Sequence, residues 1–149
     1  MTIRDIVRDY VLDDGTVAGL LGTRLYPDML PQKVTYPAAV ILNVDTLREP
    51  SLRTVAGLAT ARLQIDVYAA PVSGASSRML ADQCGAAIRQ RLEGFDGTMP
   101  DHSTSPATDV RVWIVFDQER SGVEVEIHGG LSRHSADYLV DFQTQDGFY

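Results

Sequence analysis

The chain has 149 residues, a net charge of -7 from 13 basic and 20 acidic residues, and a hydrophobic content of 44%. This length suits one domain with one core, and the composition is unlike that of disordered chains. The acidic balance disfavours tight binding to nucleic acid or anionic lipid, because both carry negative charge. Cys84 is the single cysteine, which excludes an intrachain disulfide. With no apolar leader and no stretch long enough to cross a bilayer, we expect a cytoplasmic protein with no membrane partner.

The N-terminal segment predicts one helix and a further helical turn. Apolar residues recur every three or four positions from Thr2 to Asp13, with Thr2 as a plausible N-cap and Asp5 in the first turn. Residues 16–22 predict the further turn, which Gly22 ends. An extended exit and then a proline-containing loop follow, at 24–27 and 31–37.

Two strands and a long helix are predicted in the middle of the chain. Residues 38–44 are apolar and rich in β-branched side chains, and residues 61–69 alternate between apolar and polar. The connection between them, 45–57, has no clear period. Helical periodicity then runs over 75–92, with Met79 and Cys84 on the apolar face.

The C-terminal part predicts three more strands. They are expected at 110–116, 123–127 and 134–142. A polar loop over 98–109 precedes the first strand, and a turn over 118–122 and a break at Gly129 and Gly130 separate the three. In the final strand the inward side chains are Ala136, Tyr138, Val140 and Phe142.

This order of elements predicts an α+β fold. An antiparallel or mixed sheet of about four to five strands would carry two main helices on one face. No linker divides the chain, so a single domain over 1–149 is expected. This domain would have a flexible 45–57 hairpin connection, a mobile 98–109 loop and a C-terminal tail over 143–149.

Motifs for catalysis or cofactor binding are weak. Ser76 lacks the second glycine of a nucleophile elbow and is expected in the first turn of a helix. His128 and His134 could meet Asp137 or Glu126 as a two-histidine, one-carboxylate metal site, but ordinary surface or strand-edge histidines are the favoured interpretation. Cys84 is expected in the core. We therefore predict no catalytic residue, no cofactor and no metal site.

Carboxylates on the strands have a similarly simple interpretation. Solvated strand residues explain them better than an acid/base pair does. Those expected on solvent faces are Asp45, Asp66, Glu124, Glu126, Asp137 and Asp141.

The segments without core residues are longer than ordinary loops, which makes them candidates for contacts. Arg48 and Arg53 in the 45–57 connection lack the interleaved aromatic residues of surfaces that bind single strands, so a protein contact or solvation is favoured. The tail ends in Phe148 and Tyr149, two large apolar side chains that we expect to dock on a partner. Folding of the tail back onto its own domain stays open.

Several segments resemble one known protein family. They include the helix at 3–12, the segment 17–27 that ends in Gly22-Thr23-Arg24-Leu25-Tyr26-Pro27, and the strand 61–69 with Gln64-Ile65-Asp66-Val67-Tyr68. The helix over 81–92 and the strand over 132–142 extend this similarity. The chain thus resembles the tail-completion family of long-tailed phages, also called tail-terminator or head-to-tail joining proteins.

The resemblance implies a non-enzymatic virion protein. Such α+β subunits close the end of the tail tube as a six-membered ring and present a surface to a head connector, adaptor or stopper protein. It implies contact with the tail tube protein, no cofactor, and assembly in the host cytoplasm into the virion neck. DNA would pass through an acidic ring without sequence-specific binding, because the lumen repels phosphates.

Ring formation requires a patch on one subunit to meet a different patch on the next. For the subunit and partner contacts we expect Arg48, Arg53, Phe148 and Tyr149. Two other classes stay open: another small intracellular assembly or ligand-binding α+β module, and a small enzyme that uses His128, His134 and Asp137.

Overall fold

The computed structural model describes residues 2–48, 58–71, 76–124 and 131–143. Within these ranges the helices are α1 Ile3–Leu12, α2 Gly15–Leu21 and α3 Ser77–Leu92. The strands are β1 Leu25–Pro27, β2 Ala38–Arg48, β3 Leu58–Ala69, β4 Asp96–Asp101, β5 Thr108–Glu124 and β6 Leu131–Gln143.

The strands form one sheet in the order β1-β2-β3-β6-β5-β4. β1 pairs with β2 in parallel, and the other neighbours are antiparallel. α3 lies against β3, β5 and β6, while α1 contacts β1, β2 and β4. The predicted α+β class with helices on a mixed sheet agrees with this architecture. The sheet is larger than predicted, with six strands, and the described residues contain a short third helix.

Polar caps start each helix where the apolar periodicity begins. In α1 the Asp5 backbone N–H donates to Thr2 Oγ1 at 3.3 Å, and Asp5 Oδ2 accepts from the Thr2 backbone at 3.3 Å, which completes a capping box. Asp14 caps α2 by accepting from the Val17 backbone at 3.1 Å. Ser76 is the N-cap of α3, one position before the first turn in which it was predicted.

The core lies between the helices and one face of the sheet. Alternation in β3 buries every second residue, as the sequence of 61–69 predicts, and the predicted inward residues of β6 are buried. On α1 the apolar stripe is buried; it consists of Ile3, Ile6, Val7 and Val11. Met79 does not join the core, because its side chain is 73% exposed near the start of α3. No helix in the described ranges is both long and apolar enough to span a membrane.

Two predicted irregular segments in the C-terminal half are strands. β4 pairs with residues 108–113 of β5, so the predicted 98–109 loop shrinks to the residues between these strands. Likewise no turn interrupts β5 at 118–122, where the strand runs to Glu124 beside β6. A register shift between Phe116 and Gln118 replaces the turn. Such a shift accommodates one extra residue without ending the pairing.

Candidate functional site

The sheet face opposite the helices, here called the polar face, holds two buried carboxylates. Asp66 on β3 is 4% exposed and Asp137 on β6 is 5% exposed. The prediction that both lie on solvent faces is therefore wrong. The reason is that long polar side chains from adjacent strands close over them and supply hydrogen bonds.

The hydrogen bonds around Asp66 come from its own strand and from β6. Gln64 Nε2 donates to both of its carboxylate oxygens at 3.0 Å, and Arg133 Nη2 lies 3.1 Å from Oδ2. A buried carboxylate is costly unless it is paired in this way. Asp66 thus links β3 to β6 on the polar face.

Asp137 links β6 to the bulged part of β5. Its Oδ2 accepts a hydrogen bond from Gln118 Nε2 at 3.0 Å and lies 3.6 Å from Arg62 Nη1. Its other oxygen, Oδ1, lies 3.9 Å from Arg120 Nη2. Arg62 also donates to Asp117 at 2.6 Å, and this hydrogen bond raises the pKa of its guanidinium. The opposite charges alternate across three strands, so this network stabilises strand pairing instead of presenting one sign of charge to a ligand.

His134 occupies the other face of the sheet, against α3. It is 4% exposed, and its Nε2 lies 3.1 Å from Glu119 Oε2 on β5. A Cβ atom placed on Gly85 of α3 would lie 2.1 Å from His134 Nδ1, so the helix can pack here because residue 85 is a glycine. His134 is therefore a core residue of the helix–sheet interface, and its prediction as a surface or strand-edge histidine is wrong.

This placement separates the residues of the hypothetical metal site. His134 and Asp137 are three positions apart on one strand and so lie on opposite faces of the sheet. His128, the remaining imidazole of that hypothesis, and Glu126, its alternative carboxylate, lie outside the described residues. Across the described ranges, no group of three or more His, Cys, Asp and Glu side chains could hold a metal ion.

Cys84 lies in the core, as predicted, at 1% exposure on the inner face of α3. Burial raises the pKa of its thiol to about 11. A thiol that is both buried and protonated is a poor nucleophile. Burial likewise raises the pKa of the Tyr138 hydroxyl on β6.

The residues predicted to contact partners are largely outside the described part of the chain. Arg53, Phe148 and Tyr149 fall in the ranges 49–57 and 144–149. Arg48 is the last residue of β2, where its backbone pairs with Ala59, and its side chain lies outside the description. Their role in contacts stays a prediction.

Apolar side chains on the sheet surface were not singled out from the sequence. Four large ones are exposed on the strands: Val44, Leu47, Leu58 and Val115. The sequence offered a signal for Val115, since the alternation in 110–116 places it on the face opposite Val112 and Ile114. Val44 is the last residue of the predicted strand 38–44, whereas Leu47 lies in the part of β2 beyond it, which runs to Arg48. Leu47 and Leu58 lie on the neighbouring strands β2 and β3, either side of the Arg48–Ala59 pair, and adjacent exposed apolar residues mark interaction surfaces.

Comparison with known proteins identifies the family of this chain. The sequence profile described as "Tail completion protein gp17" matches residues 6–130. The chain belongs to this tail completion family. The family resemblance drawn from the sequence is thereby confirmed, because the match covers most of the chain.

The fold of this tail completion protein also occurs in a solved particle. A chain in the structure titled "Virion of native gene transfer agent (GTA) particle" superposes with a TM-score of 0.63 at 15% identity, over 95% of both chains. At this identity the likeness concerns the fold. No curated protein sequence matches the chain significantly.

Proposed function

We propose that this tail completion protein is a structural, non-enzymatic virion component that closes the end of a tail tube and joins it to the head. The observation that carries the proposal is the family match over residues 6–130. Its fold, which is shared with a chain from a gene transfer agent virion, supports the same role. The copies form a six-membered ring in the neck, with the tail tube protein on one side and a head connector, adaptor or stopper protein on the other.

The surface of the subunit supports a role in assembly. Exposed Leu47, Leu58 and Val115 give the sheet apolar contact area that a lone subunit leaves in water. A ring needs two different patches on each subunit, and Arg48, Arg53, Phe148 and Tyr149 remain our proposed contributors to them.

The net charge of -7 suits a ring through which DNA passes. A lumen lined by carboxylates repels the phosphate backbone, so the strand slides without sticking. Sequence-specific binding to DNA is not part of the proposed role. The ring joins the particle during assembly in the host cytoplasm.

Deletion of this reading frame in cells that make the particle tests the proposed function. Electron microscopy should then show filled heads and detached tails of irregular length, because the tube lacks its stop and its junction. Expression of the wild-type chain from a plasmid should restore joined particles. Normal joined particles from the deletion strain would contradict the proposal and favour another assembly or ligand-binding module.

A further inference from the structure

We propose that neighbouring copies are joined by β-strand addition, with a free edge of β5 in one copy pairing antiparallel with a free edge of β2 in the next. This inference rests on the proposed ring and names its subunit contact. The occupant of each edge is a second copy of the same chain.

The first free edge is the part of β2 beyond β1, residues 42–48. β1 pairs only with Ala39, Val40 and Ile41, and within the described ranges no strand lies beside 42–48 on that side. The Ala39 backbone N–H donates outward to the Arg24 carbonyl at 2.8 Å. Because strand residues alternate in the direction of their N–H groups, and the register shifts after Asn43, the Thr46 N–H points outward as well.

The second free edge is the part of β5 beyond β4, residues 115–124. Pairing with β4 ends at Trp113, and the Ile114 N–H donates to the Phe95 carbonyl at 2.9 Å. Beyond this point the described residues place no strand on the outer side of β5. By the same alternation, counted across the shift between Phe116 and Gln118, the Ser121 N–H points outward.

The two edges are complementary in direction and position. β2 and β5 run in opposite directions within the sheet, so a head-to-tail arrangement of copies pairs them antiparallel, as in the rest of the sheet. They belong to opposite sides of the sheet, which gives the two different patches that a ring requires. The free part of β2 lies toward one end of the strands and that of β5 toward the other, which matches the stagger of tilted strands in a closed sheet.

Both edges carry exposed apolar side chains that pairing with another strand would cover. Val44, Leu47 and Val115, three of the exposed large apolar residues, lie on the two edges. Neither segment contains lysine or proline, two of the residue types that protect edge strands, although both contain other charged residues and a register shift. By contrast, the edge strand β4 is only six residues long and contains Pro100.

Proline substitutions at the outward N–H groups test this pairing. Thr46→Pro and Ser121→Pro each remove one outward donor, and an edge strand tolerates proline on its solvent side. Thr46→Ala and Ser121→Ala are the matched controls, because they remove the same hydroxyl and keep the N–H. Native mass spectrometry should show assembly for the alanine variants and its loss for both proline variants, with thermal unfolding of the subunits similar within each pair.

A mixture of the two proline variants gives the sharpest result. A Thr46→Pro subunit keeps its β5 edge and a Ser121→Pro subunit keeps its β2 edge, so together they should form a one-to-one dimer that grows no further. If either proline variant alone assembled to the same extent as the wild-type chain, the proposal would be overturned.

Hydrogen exchange of the wild-type chain decides the question even if a proline variant fails to fold. Exchange of the outward amides, those of Thr46 and Ser121, should slow by about tenfold or more in the assembled protein relative to the free subunit. Unchanged exchange on both edges would refute the pairing. Joined particles from a deletion strain that carries Thr46→Pro would also refute it, while leaving the role at the tail end intact.

Discussion

At the scale of single residues, the contact between Gly85 and His134 is a feature that the sequence alone does not predict. A glycine inside a helix weakens the helical pattern, and nothing in its neighbourhood indicates that an imidazole lies against it. The pair is 49 positions apart in the chain and meets only through packing of α3 on β6. For the same reason the burial of Asp66 and Asp137 was not predictable, since their covering side chains come from other positions and other strands.

We expect Gly85→Ala to destabilise the protein by about 2 kcal/mol, because the added methyl overlaps the His134 ring. Urea unfolding measures this change. The double variant Gly85→Ala, His134→Ala should lose less unfolding free energy than the two single variants lose together. Gly19→Ala is the control: it lies in α2 with nothing within 4 Å of its added Cβ, so it should be neutral or stabilising by up to about 1 kcal/mol.

We expect the Cys84 thiol to react with an alkylating reagent only when the protein unfolds. Its pKa of about 11, against the ordinary 9.0, lowers the thiolate fraction at pH 8 by about 100-fold, and burial blocks access as well. Between pH 9 and 11 the unfolded thiol ionises first, so this group lowers stability as the pH rises. Rapid labelling in native buffer at pH 8, at the rate seen in urea, would contradict this account.

At the scale of elements, local periodicity predicted those helices and strands that bury one face and leave the other partly exposed. α1 and β3 carry this signal, and both formed as predicted. β4 was missed because its Pro100 and polar neighbours indicate a loop, although an edge strand accommodates proline. The predicted turn over 118–122 failed because pairing with β6 continues past a bulge, a long-range effect that local composition does not encode.

The cap of α1 should make stability depend on acid pH. Burial opposes ionisation of Asp5, but hydrogen bonds from Thr2 and Arg4 outweigh it and hold the carboxyl pKa below 3.8. A lowered folded-state pKa stabilises the fold above pH 3.8, and this contribution disappears as the pH falls through the folded value. We expect Thr2→Ala to cost about 1 kcal/mol at pH 7. Asp5→Asn should also destabilise at pH 7, by an amount that shrinks toward pH 2, as urea unfolding at several pH values would show.

At the scale of the whole molecule, the fold is one sheet with helices on one face. Its outer strands β1 and β4 each pair with only part of the neighbouring strand. The α+β class followed from the order of elements, whereas the free edges depend on which strands become neighbours. That order, β1-β2-β3-β6-β5-β4, cannot be read from local patterns because β3 and β6 are distant in the chain. The family resemblance therefore indicated the role of the protein better than any single residue did.

We expect Arg48→Glu with Arg53→Glu to weaken assembly while the melting temperature of the subunit stays nearly unchanged. Their predicted role is at subunit or partner contacts, where reversed charges oppose association. Lys33→Glu with Arg78→Glu is a control with the same change in net charge, and both of its sites are exposed. If the charge reversal lowered both assembly and the melting temperature of the subunit, the 45–57 connection would instead contribute to the stability of the fold.

The most direct test of the proposed role is cryo-electron microscopy of particles purified from cells that carry this reading frame. We expect a single ring of six copies at the head-proximal end of the tail tube, between the tube protein and the head connector. Density for this chain along the length of the tube, at the distal tip, or nowhere in the particle would contradict it.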